Sequence, residues 1–323
     1  MILPRLFRLG NWVMRALPPG VRYPLAAVTG RGAFFLMPRR RRVAFENFAQ
    51  VLGLPPTDPR VRRTARHAFG NYFKMFADFM LMDTLTPAEI RRMVRPEGRE
   101  RIDRVLAEGK GAVVVTAHVS NWDILAAASA VYGYPISAVT NELPSGGLNE
   151  LVIASRERIG MKMIGLGAGS LRQILKALAR NELVALASDL YSGDRGVRVP
   201  FFNRPGVFPA GPAAIALKTG APILPVWIRR QPDNLYVAEI EEPIEVSRTG
   251  ETAHDIQLTT ERIVQFFERI IRREPDQWLV FLPVWRLEEP VQTPGQPMQP
   301  VLDPTSQALG WHVPRPSRGA TPR

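Results

Sequence analysis

The spacing of apolar residues divides the chain into a helical first part and an alternating second part. In residues 1–95 apolar side chains recur every three or four positions, as in the segment RVRRTARHAFGNYFKMFADFMLM, and this period predicts amphipathic helices. Thr86 followed by Pro87 adds a helix-start signal near the end of this part. Residues 1–95 are therefore predicted to form a helical extension.

Beyond residue 95, short β-branched runs alternate with amphipathic segments. The predicted strands cover residues 111–118, 134–141, 163–166, 182–190, 197–202, 221–228 and 235–246. The predicted helices cover residues 98–109, 121–133, 149–160, 170–181, 210–220 and 254–274. Because strands and helices alternate in this way, residues 96–286 predict an α/β layered sandwich.

The composition changes again after residue 286. Residues 287–323 are rich in Pro, Gln, Gly and Ser, and such a segment cannot bury enough apolar surface to fold. It is predicted to be a disordered tail without catalytic residues. The domain prediction is thus a helical, basic extension at 1–95, an α/β core at 96–286 and the tail at 287–323.

Positive charge is concentrated at the start of the chain. The 323 residues carry 42 Lys and Arg against 30 Asp and Glu, a formal net charge of +12, and residues 39–42 are four consecutive arginines. Apolar residues and arginines are mixed in this part of the chain. Its apolar runs are shorter than the ~20 residues needed to cross a bilayer, and it does not have the pattern of a signal peptide. This pattern favours a basic segment lying on an anionic membrane surface. An ordinary helical subdomain with a solvated basic face fits the same composition.

Several kinds of chemistry are excluded or disfavoured by composition. The chain has no cysteine, which excludes disulfides, zinc–thiolate sites and a cysteine nucleophile. Its 4 histidines have no metal-like spacing, so we expect no metal and no organic cofactor. No Gly-x-Ser-x-Gly elbow occurs, which disfavours a serine hydrolase.

The strongest local signal for chemistry is the sequence TAHVSNWD, where a predicted strand gives way to a predicted helix. His118 and Asp123 stand five positions apart there, at the kind of strand end where open α/β sheets bind ligands. The pattern predicts that the Asp123 carboxylate orients the His118 ring, whose free nitrogen takes a proton from a substrate hydroxyl that attacks an acyl carbonyl. The simpler interpretation is that His118 ends a strand and Asp123 stabilises a helix N-terminus.

Four ordered blocks resemble the bacterial lipid A biosynthesis acyltransferase family, a branch of the lysophospholipid acyltransferase superfamily that includes phosphatidylinositol mannoside acyltransferases. They are His-Val-Ser-Asn-Trp-Asp at 118–123, Asp189 with Gly-Val-Arg-Val-Pro-Phe-Phe at 196–202, Ala-Gly-Pro at 210–212 with Thr-Gly-Ala-Pro-Ile-Leu-Pro at 219–225, and Pro-Asp-Gln-Trp at 275–278. The resemblance implies a mixed, mostly parallel sheet in a layered α/β sandwich, preceded by the helical extension. Their order over residues 20–286 makes the match far more specific than one block.

The resemblance also implies roles for individual residues. His118 would be the general base, Asp123 its partner and Asp189 a second acid near the pocket. The implied substrate-binding residues are Ser120, Asn121, Trp122, Arg156, Arg172, Arg195, Phe201 and Phe202. The simpler interpretation is a solvated helix face for Arg156 and Arg172, and core packing for the two phenylalanines.

The implied activity is transfer of a fatty acyl chain from acyl-CoA or acyl carrier protein to a hydroxyl of a glycolipid or lysolipid. Asn203 stands where the family usually has glycine, residues 282–285 depart from its usual His-Arg-Arg-Trp ending, and the motif acid is Asp123 rather than glutamate. These departures favour a mannoside-type or other glycolipid acceptor over lipid A. The expected location is peripheral, on the cytoplasmic face of the plasma (inner) membrane, with no transmembrane helix and no nucleic-acid partner.

Two other functions remain open on the sequence. An acyl-thioester hydrolase would use the same histidine with water as acceptor. A non-catalytic basic protein that binds membranes or nucleic acid would suit the charge, although no nucleic-acid module is recognised.

Overall fold

The fold begins with a run of helices, as the apolar period predicts. The computed structural model describes residues 2–82, 84–140, 146–167, 169–191 and 196–285, without the side chains of residues 2–8, 146–148 and 151. The predicted tail, 287–323, lies outside the described residues. The first five helices are α1 (Ile2–Ala16), α2 (Pro19–Leu36), α3 (Pro38–Leu52), α4 (Pro59–Leu81) and α5 (Pro87–Met93).

Proline punctuates this helical region. Helices α2 to α5 each begin at a proline, whose missing N–H is not needed in the first turn of a helix. The start of α5 also has a capping box, in which Thr86 and Glu89 each accept a hydrogen bond from the other's backbone amide. Gly53 ends α3 with a φ of 64°, a conformation that suits glycine. The predicted helical region is therefore divided into the separate helices α1 to α5.

The remainder of the chain forms the predicted α/β structure. Its strands are β1 (Val94–Glu97), β2 (Ala112–Thr116), β3 (Ile136–Thr140), β4 (Lys162–Gly165), β5 (Leu183–Ala187), β6 (Val197–Phe201), β7 (Arg204–Phe208), β8 (Ile223–Arg230) and β9 (Tyr236–Ile240). Its helices are α6 (Arg99–Ala107), α7 (Trp122–Val131), α8 (Gly146–Arg158), α9 (Ser170–Ala179), α10 (Gly211–Thr219) and α11 (Thr252–Arg273), followed by a 3₁₀ turn (Pro275–Gln277).

Seven strands form one sheet in the order β1-β9-β8-β2-β5-β3-β4. Neighbouring strands are parallel except β8 and β9, which are joined by a short turn and run antiparallel. Such a sheet is stable only when helices cover both faces. Helices α5, α6 and α7 pack on one face, and α3, α4, α9, α10 and α11 pack on the other. The predicted fold class, a layered sandwich around a mixed, mostly parallel sheet, is confirmed.

Two strands differ from the pattern-based prediction. Residues of β1 lie at the end of the predicted helical region, yet they pair with β9 and complete one edge of the sheet. Strand β7 contains Pro205 and Gly206, which disfavour strands. It forms because Phe202 and Asn203, with φ values of 49° and 62°, make the two-residue turn of a hairpin with β6. This hairpin is separate from the main sheet.

The helical extension and the α/β core share one hydrophobic core. Phe48 of α3 and Phe69 of α4 belong to the same buried cluster as Val113 of β2 and Trp278. Over the described ranges, helices that combine the length and the apolar character needed to span a bilayer are absent.

Candidate active site

The parallel pairing of β2 with β5 brings two titratable side chains together. Thr116, the last residue of β2, is opposite Ala187, the last residue of β5. His118 and Asp189 each follow these residues by two positions, so they leave the same edge of the sheet side by side. This edge holds the carboxyl ends of the parallel strands, where α/β folds commonly bind ligands.

His118 and Asp189 are joined at two points. The ring Nδ1 of His118 lies 2.6 Å from Oδ1 of Asp189, and the backbone amide of His118 donates to Oδ2 at 3.0 Å. The indole Nε1 of Trp278 also donates to Oδ2, at 2.9 Å. Asp189 is buried, whereas the His118 side chain is 26% exposed. In the neutral ring, Asp189 therefore fixes the tautomer with the proton on Nδ1, which makes Nε2 the proton acceptor.

The electrostatics of the pair suit a base. Burial alone would lower the pKa of His118, but the charge and hydrogen bond of Asp189, together with the charge of Asp123, raise that pKa above its ordinary value of 6.5. Burial opposes ionisation of Asp189 as well, yet His118 and the donors around the carboxylate hold its pKa below 3.8. The carboxylate is thus ionised across the range in which His118 titrates.

Asp123 makes a different contact from the one predicted. It is buried in the first turn of α7, and its Oδ1 accepts from Nε of Arg156 at 2.8 Å, with Nη2 also 2.8 Å away. Burial raises the pKa of Asp123, and the charges of Arg156 and His118 offset this only in part. The prediction that Asp123 orients the His118 ring is therefore corrected, because the ring nitrogen bonds Asp189. Arg156, predicted to bind substrate, forms a buried ion pair with Asp123.

The residues between His118 and Asp123 build the turn that positions them. Ser120 has a φ of 56°, and its amide donates to the carbonyl of Gln277 at 2.7 Å. Asn121 is buried and caps α7, since its Oδ1 accepts from the amide of Ile124 at 3.1 Å. Ser120 and Asn121, both predicted to bind substrate, thus shape the backbone.

Trp122 lies between His118 and an apolar cleft. Its ring meets the His118 ring edge to face, with centroids 4.8 Å apart. It also borders a cleft between α7 and the sheet that holds about 640 Å³ of space outside protein atoms, counting the part open to solvent. The cleft wall is mainly apolar and includes Val114, Leu125, Ala126, Ile136, Leu183 and Val226. An apolar wall with few polar groups is typical of ligand sites.

A buried polar network supports the turn from beneath. Asp78 of α4 accepts hydrogen bonds from Tyr23 of α2 at 2.6 Å, from Arg230 and from Tyr236. Asn121 donates to the hydroxyl of Tyr236 at 3.3 Å and to Asp78 at 3.5 Å. The charge of Arg230 is thereby neutralised inside the protein. This network connects the helical extension to Asn121, the residue that caps α7.

The remaining predicted site residues lie elsewhere. Phe201 and Phe202 are buried, and Phe201 packs on Trp278 and Trp285, behind Asp189 and away from the apolar cleft. Arg172 is exposed on the first turn of α9. The prediction for Arg195 falls outside the described residues.

Two sets of side chains around the site could not be predicted from the sequence. Asp78 lies in an amphipathic segment and Arg230 at the end of an apolar segment. Because 152 positions separate the two residues, no local pattern marks them as partners. Trp278 belongs to a recognisable block, but its bond to Asp189 could not be deduced from spacing. Among the described residues, no group of three or more His, Asp or Glu is placed to hold a metal ion.

Comparison with known proteins identifies the family of the chain. The chain belongs to the bacterial lipid A biosynthesis acyltransferase family, whose model matches residues 5–287. This membership confirms the predicted family and makes the chain an acyltransferase of lipid and glycolipid biosynthesis.

Individual relatives are named more narrowly than the family. The chain is 26% identical over 250 residues to the phosphatidylinositol mannoside acyltransferase of Mycobacterium tuberculosis (strain CDC 1551 / Oshkosh), covering 74% of this chain and 75% of the relative. It is 24% identical over 287 residues to the phosphatidylinositol mannoside acyltransferase of Mycolicibacterium smegmatis, covering 86% and 90%. Both alignments span most of each protein.

Proposed function

We propose that the chain transfers a fatty acyl group from acyl-CoA or acyl carrier protein to a hydroxyl of a glycolipid of the phosphatidylinositol mannoside type. One observation carries the proposal: the His118 ring, which is 26% exposed and bonded to Asp189, contacts Trp122, and Trp122 borders an apolar cleft. A proton acceptor beside a cavity for an apolar chain is the arrangement that acyl transfer requires.

The proposed reaction uses His118 first as base and then as acid. The free ring nitrogen takes the proton of the acceptor hydroxyl while its oxygen attacks the thioester carbonyl, and the carbonyl oxygen becomes an oxyanion. When the tetrahedral intermediate collapses, the carbon–sulfur bond breaks, and the imidazolium returns the proton to the departing thiolate. Asp189 remains ionised and stabilises the imidazolium between the two steps. The product is an ester, with no covalent enzyme intermediate.

The acyl chain of the donor is proposed to occupy the apolar cleft. Thr116 and Ser129 border it, but their hydroxyls lie within reach of backbone carbonyls, at 3.5 Å for Thr116 with Ala117 and 3.1 Å for Ser129 with Leu125. Few polar groups in the cleft therefore lack a hydrogen-bond partner. Such a lining favours the binding of methylene groups over the binding of water.

The acceptor is proposed to reach His118 from a membrane surface. Residues 1–57 carry nine arginines and a single acid, Glu46, and the exposed side of α2 is apolar. Apolar insertion and attraction to anionic lipid together favour peripheral binding. Because both thioester donors are cytoplasmic molecules, the proposed location is the cytoplasmic face of the inner membrane.

The test is acyl transfer by the purified full chain. The protein is incubated with radiolabelled palmitoyl-CoA, or with palmitoyl acyl carrier protein in a parallel reaction, and a polar lipid extract that contains phosphatidylinositol mannosides. We expect label in a glycolipid ester, and a loss of about a hundredfold to ten-thousandfold in His118→Ala.

His254→Ala is the matched control, because His254 is exposed on α11 and should be replaceable without loss. Labelled free fatty acid without labelled lipid would identify a hydrolase instead. Full activity of His118→Ala would overturn the mechanism, and no product from either donor would overturn the proposed reaction.

A further inference from the structure

Tyr23 connects helix α2 to the buried polar network around Asp78. It lies on the buried side of α2, and its hydroxyl donates to Oδ1 of Asp78 at 2.6 Å. Its ring packs on Arg230, whose guanidinium carbon lies 5.0 Å from the ring centroid. The helix that is proposed to meet the membrane therefore reaches, through the Tyr23 hydroxyl, the charged groups behind the active-site turn.

The donors to Asp78 are divided between its two carboxylate oxygens. Oδ1 accepts from Tyr23, whereas Oδ2 accepts from Arg230 and Tyr236. The Asp78 side chain is fully buried, and a buried carboxylate oxygen that loses its donor is destabilising. Removal of the Tyr23 hydroxyl should therefore rotate the carboxylate and change the bonds at Oδ2.

Asn121 is the residue at which the network meets the active-site turn. Its Nδ2 donates to the Tyr236 hydroxyl at 3.3 Å and to Oδ2 of Asp78 at 3.5 Å. Its Oδ1 accepts from the amide of Ile124 at 3.1 Å and thereby caps α7. Because the side-chain amide is planar, its donor and its acceptor move together. A change at Asp78 is therefore transmitted to the first turn of α7.

The turn that carries His118 needs this support. Ser120 has a φ of 56°, a left-handed conformation that is disfavoured in residues with a side chain and persists only where the surrounding structure holds it. Trp122, which follows Asn121, contacts the His118 ring with centroids 4.8 Å apart. A shift of Asn121 would thus move both the backbone and the ring contact of His118. A misplacement of about 1 Å can lower a catalysed rate about a hundredfold.

We infer that Tyr23 is a positioning residue for acyl transfer by His118. Its hydroxyl acts through Asp78 and Asn121, which hold the His118 turn in its working geometry. The inference rests on the proposed function of His118 as the base. It gives a residue of the helical extension a part in the reaction, so that α2 serves both membrane contact and acyl transfer.

Tyr23→Phe tests the inference, because it removes the hydroxyl and keeps the ring that packs on Arg230. Initial rates of the full chain are measured with phosphatidylinositol mannosides and either palmitoyl-CoA or palmitoyl acyl carrier protein. We expect kcat to fall about tenfold and the KM of each substrate to change by less than about twofold, since positioning affects the chemical step. The acid limb of kcat/KM should stay in place, because the bond between His118 and Asp189 is unchanged.

Tyr72→Phe is the matched control. Tyr72 is a half-buried tyrosine of α4 that packs against Phe281 and lies outside the network, so its kcat should equal that of wild type. A wild-type kcat in Tyr23→Phe would overturn the inference.

A second substitution tests the route from Tyr23 to the turn. Asn121→Ser keeps an oxygen that can cap α7 but removes the amide that donates to Tyr236 and Asp78. It should lower kcat at least as much as Tyr23→Phe does. The double variant should be no slower than Asn121→Ser alone, because both changes break one chain of contacts. If the two losses multiply in the double variant, Tyr23 does not act through Asn121 and the inference fails.

Hydrogen exchange distinguishes failure of this inference from failure of the proposed function, because it needs no acyl transfer. Amide exchange of residues 118–126 is followed by mass spectrometry, and it should be faster in Tyr23→Phe than in wild type or Tyr72→Phe. If wild type transfers no acyl group but this difference appears, the proposed reaction fails and the positioning of the turn by Tyr23 stands. If wild type transfers acyl groups and Tyr23→Phe leaves exchange unchanged, the reaction stands and the inference fails.

Discussion

His118 depends on two buried partners that belong to different parts of the chain. Asp189 bonds the ring and the backbone amide of His118, and Trp278 bonds Asp189 in turn. Because burial disfavours a charged imidazole, Asp189 is what keeps the pKa of His118 above 6.5. In the proposed mechanism the neutral ring is the base, so kcat/KM should rise with pH through a pKa above that ordinary value.

Asp189→Asn should change both the rate and the pH profile. The amide keeps the size of the side chain but removes the charge that stabilises imidazolium, so the pKa of His118 falls and the acid limb of kcat/KM moves to lower pH. The plateau rate should drop about a hundredfold to ten-thousandfold, since the ring loses its fixed tautomer. Initial rates measured across pH with one acyl donor check this.

Asp123→Asn is the comparison for that experiment. Asp123 acts on His118 through charge without a hydrogen bond, so this variant should move the acid limb less than Asp189→Asn does. A larger shift in Asp123→Asn would restore Asp123 as the partner of the ring.

The local pattern of residues predicts only half of this site for a physical reason, and Asp189 is named only through the family resemblance. His118 and Asp123 are close along the chain, so one local pattern marks both. Asp189 is seventy-one positions from His118, and its approach depends on which strands pair. A usable signal exists, because both residues lie at the ends of predicted strands, but only the pairing of β2 with β5 brings them together.

At the scale of elements, helix α2 has two apolar sides, one packed against α4 and one exposed. One side packs on α4, where Gly30 lies so close that an added Cβ would be 2.4 Å from the carbonyl oxygen of Phe69. The other side exposes Val21, Leu25, Val28 and Phe35, which repeat at helical spacing. A stripe of this kind on a folded helix is unusual in water and marks an interaction surface.

The double variant Leu25→Asp/Phe35→Asp should weaken binding to anionic vesicles. Burying one such side chain contributes about 1.5–3 kcal/mol, so even partial insertion of two predicts a loss of roughly tenfold to a hundredfold in affinity. Flotation with phosphatidylglycerol vesicles measures it. Leu235→Asp, which changes an exposed leucine beside β9, should bind like wild type. Equal binding by the double variant would show that α2 does not contact lipid.

The pattern of the helical region predicts these helices but not their partners. The apolar period fixes where helices form, and prolines fix where most begin. Which apolar side of α2 is buried cannot be inferred, because both sides satisfy the same period. For β1 the local sequence continues the helical pattern of α5, and pairing with β9 overrides it.

At the scale of the molecule, the helical extension and the sheet behave as one packed body. They share a hydrophobic cluster, and Asp78 of α4 bonds Arg230 of β8 where both side chains are buried. Separate unfolding of the first ninety-five residues would expose this cluster and leave a buried cation without its partner. The two predicted regions should therefore unfold together.

Asp78→Ala tests this coupling. Leaving Arg230 buried and unpaired should lower the free energy of unfolding by about 3–5 kcal/mol, in one transition seen alike by near- and far-ultraviolet circular dichroism in urea. Asp233→Ala, which removes an exposed acid, should change it by less than about 1 kcal/mol. Two separate transitions in the wild type would show that the extension folds independently.

Residues 277–279 lie late in the described part of the chain, yet they contact the site built by much earlier residues. Their backbone and side-chain groups contact Ser120, Asp189 and His118. During synthesis, His118 and Asp189 therefore leave the ribosome well before the residues that fix their positions. The geometry of this pair can be completed only after residue 279 has emerged.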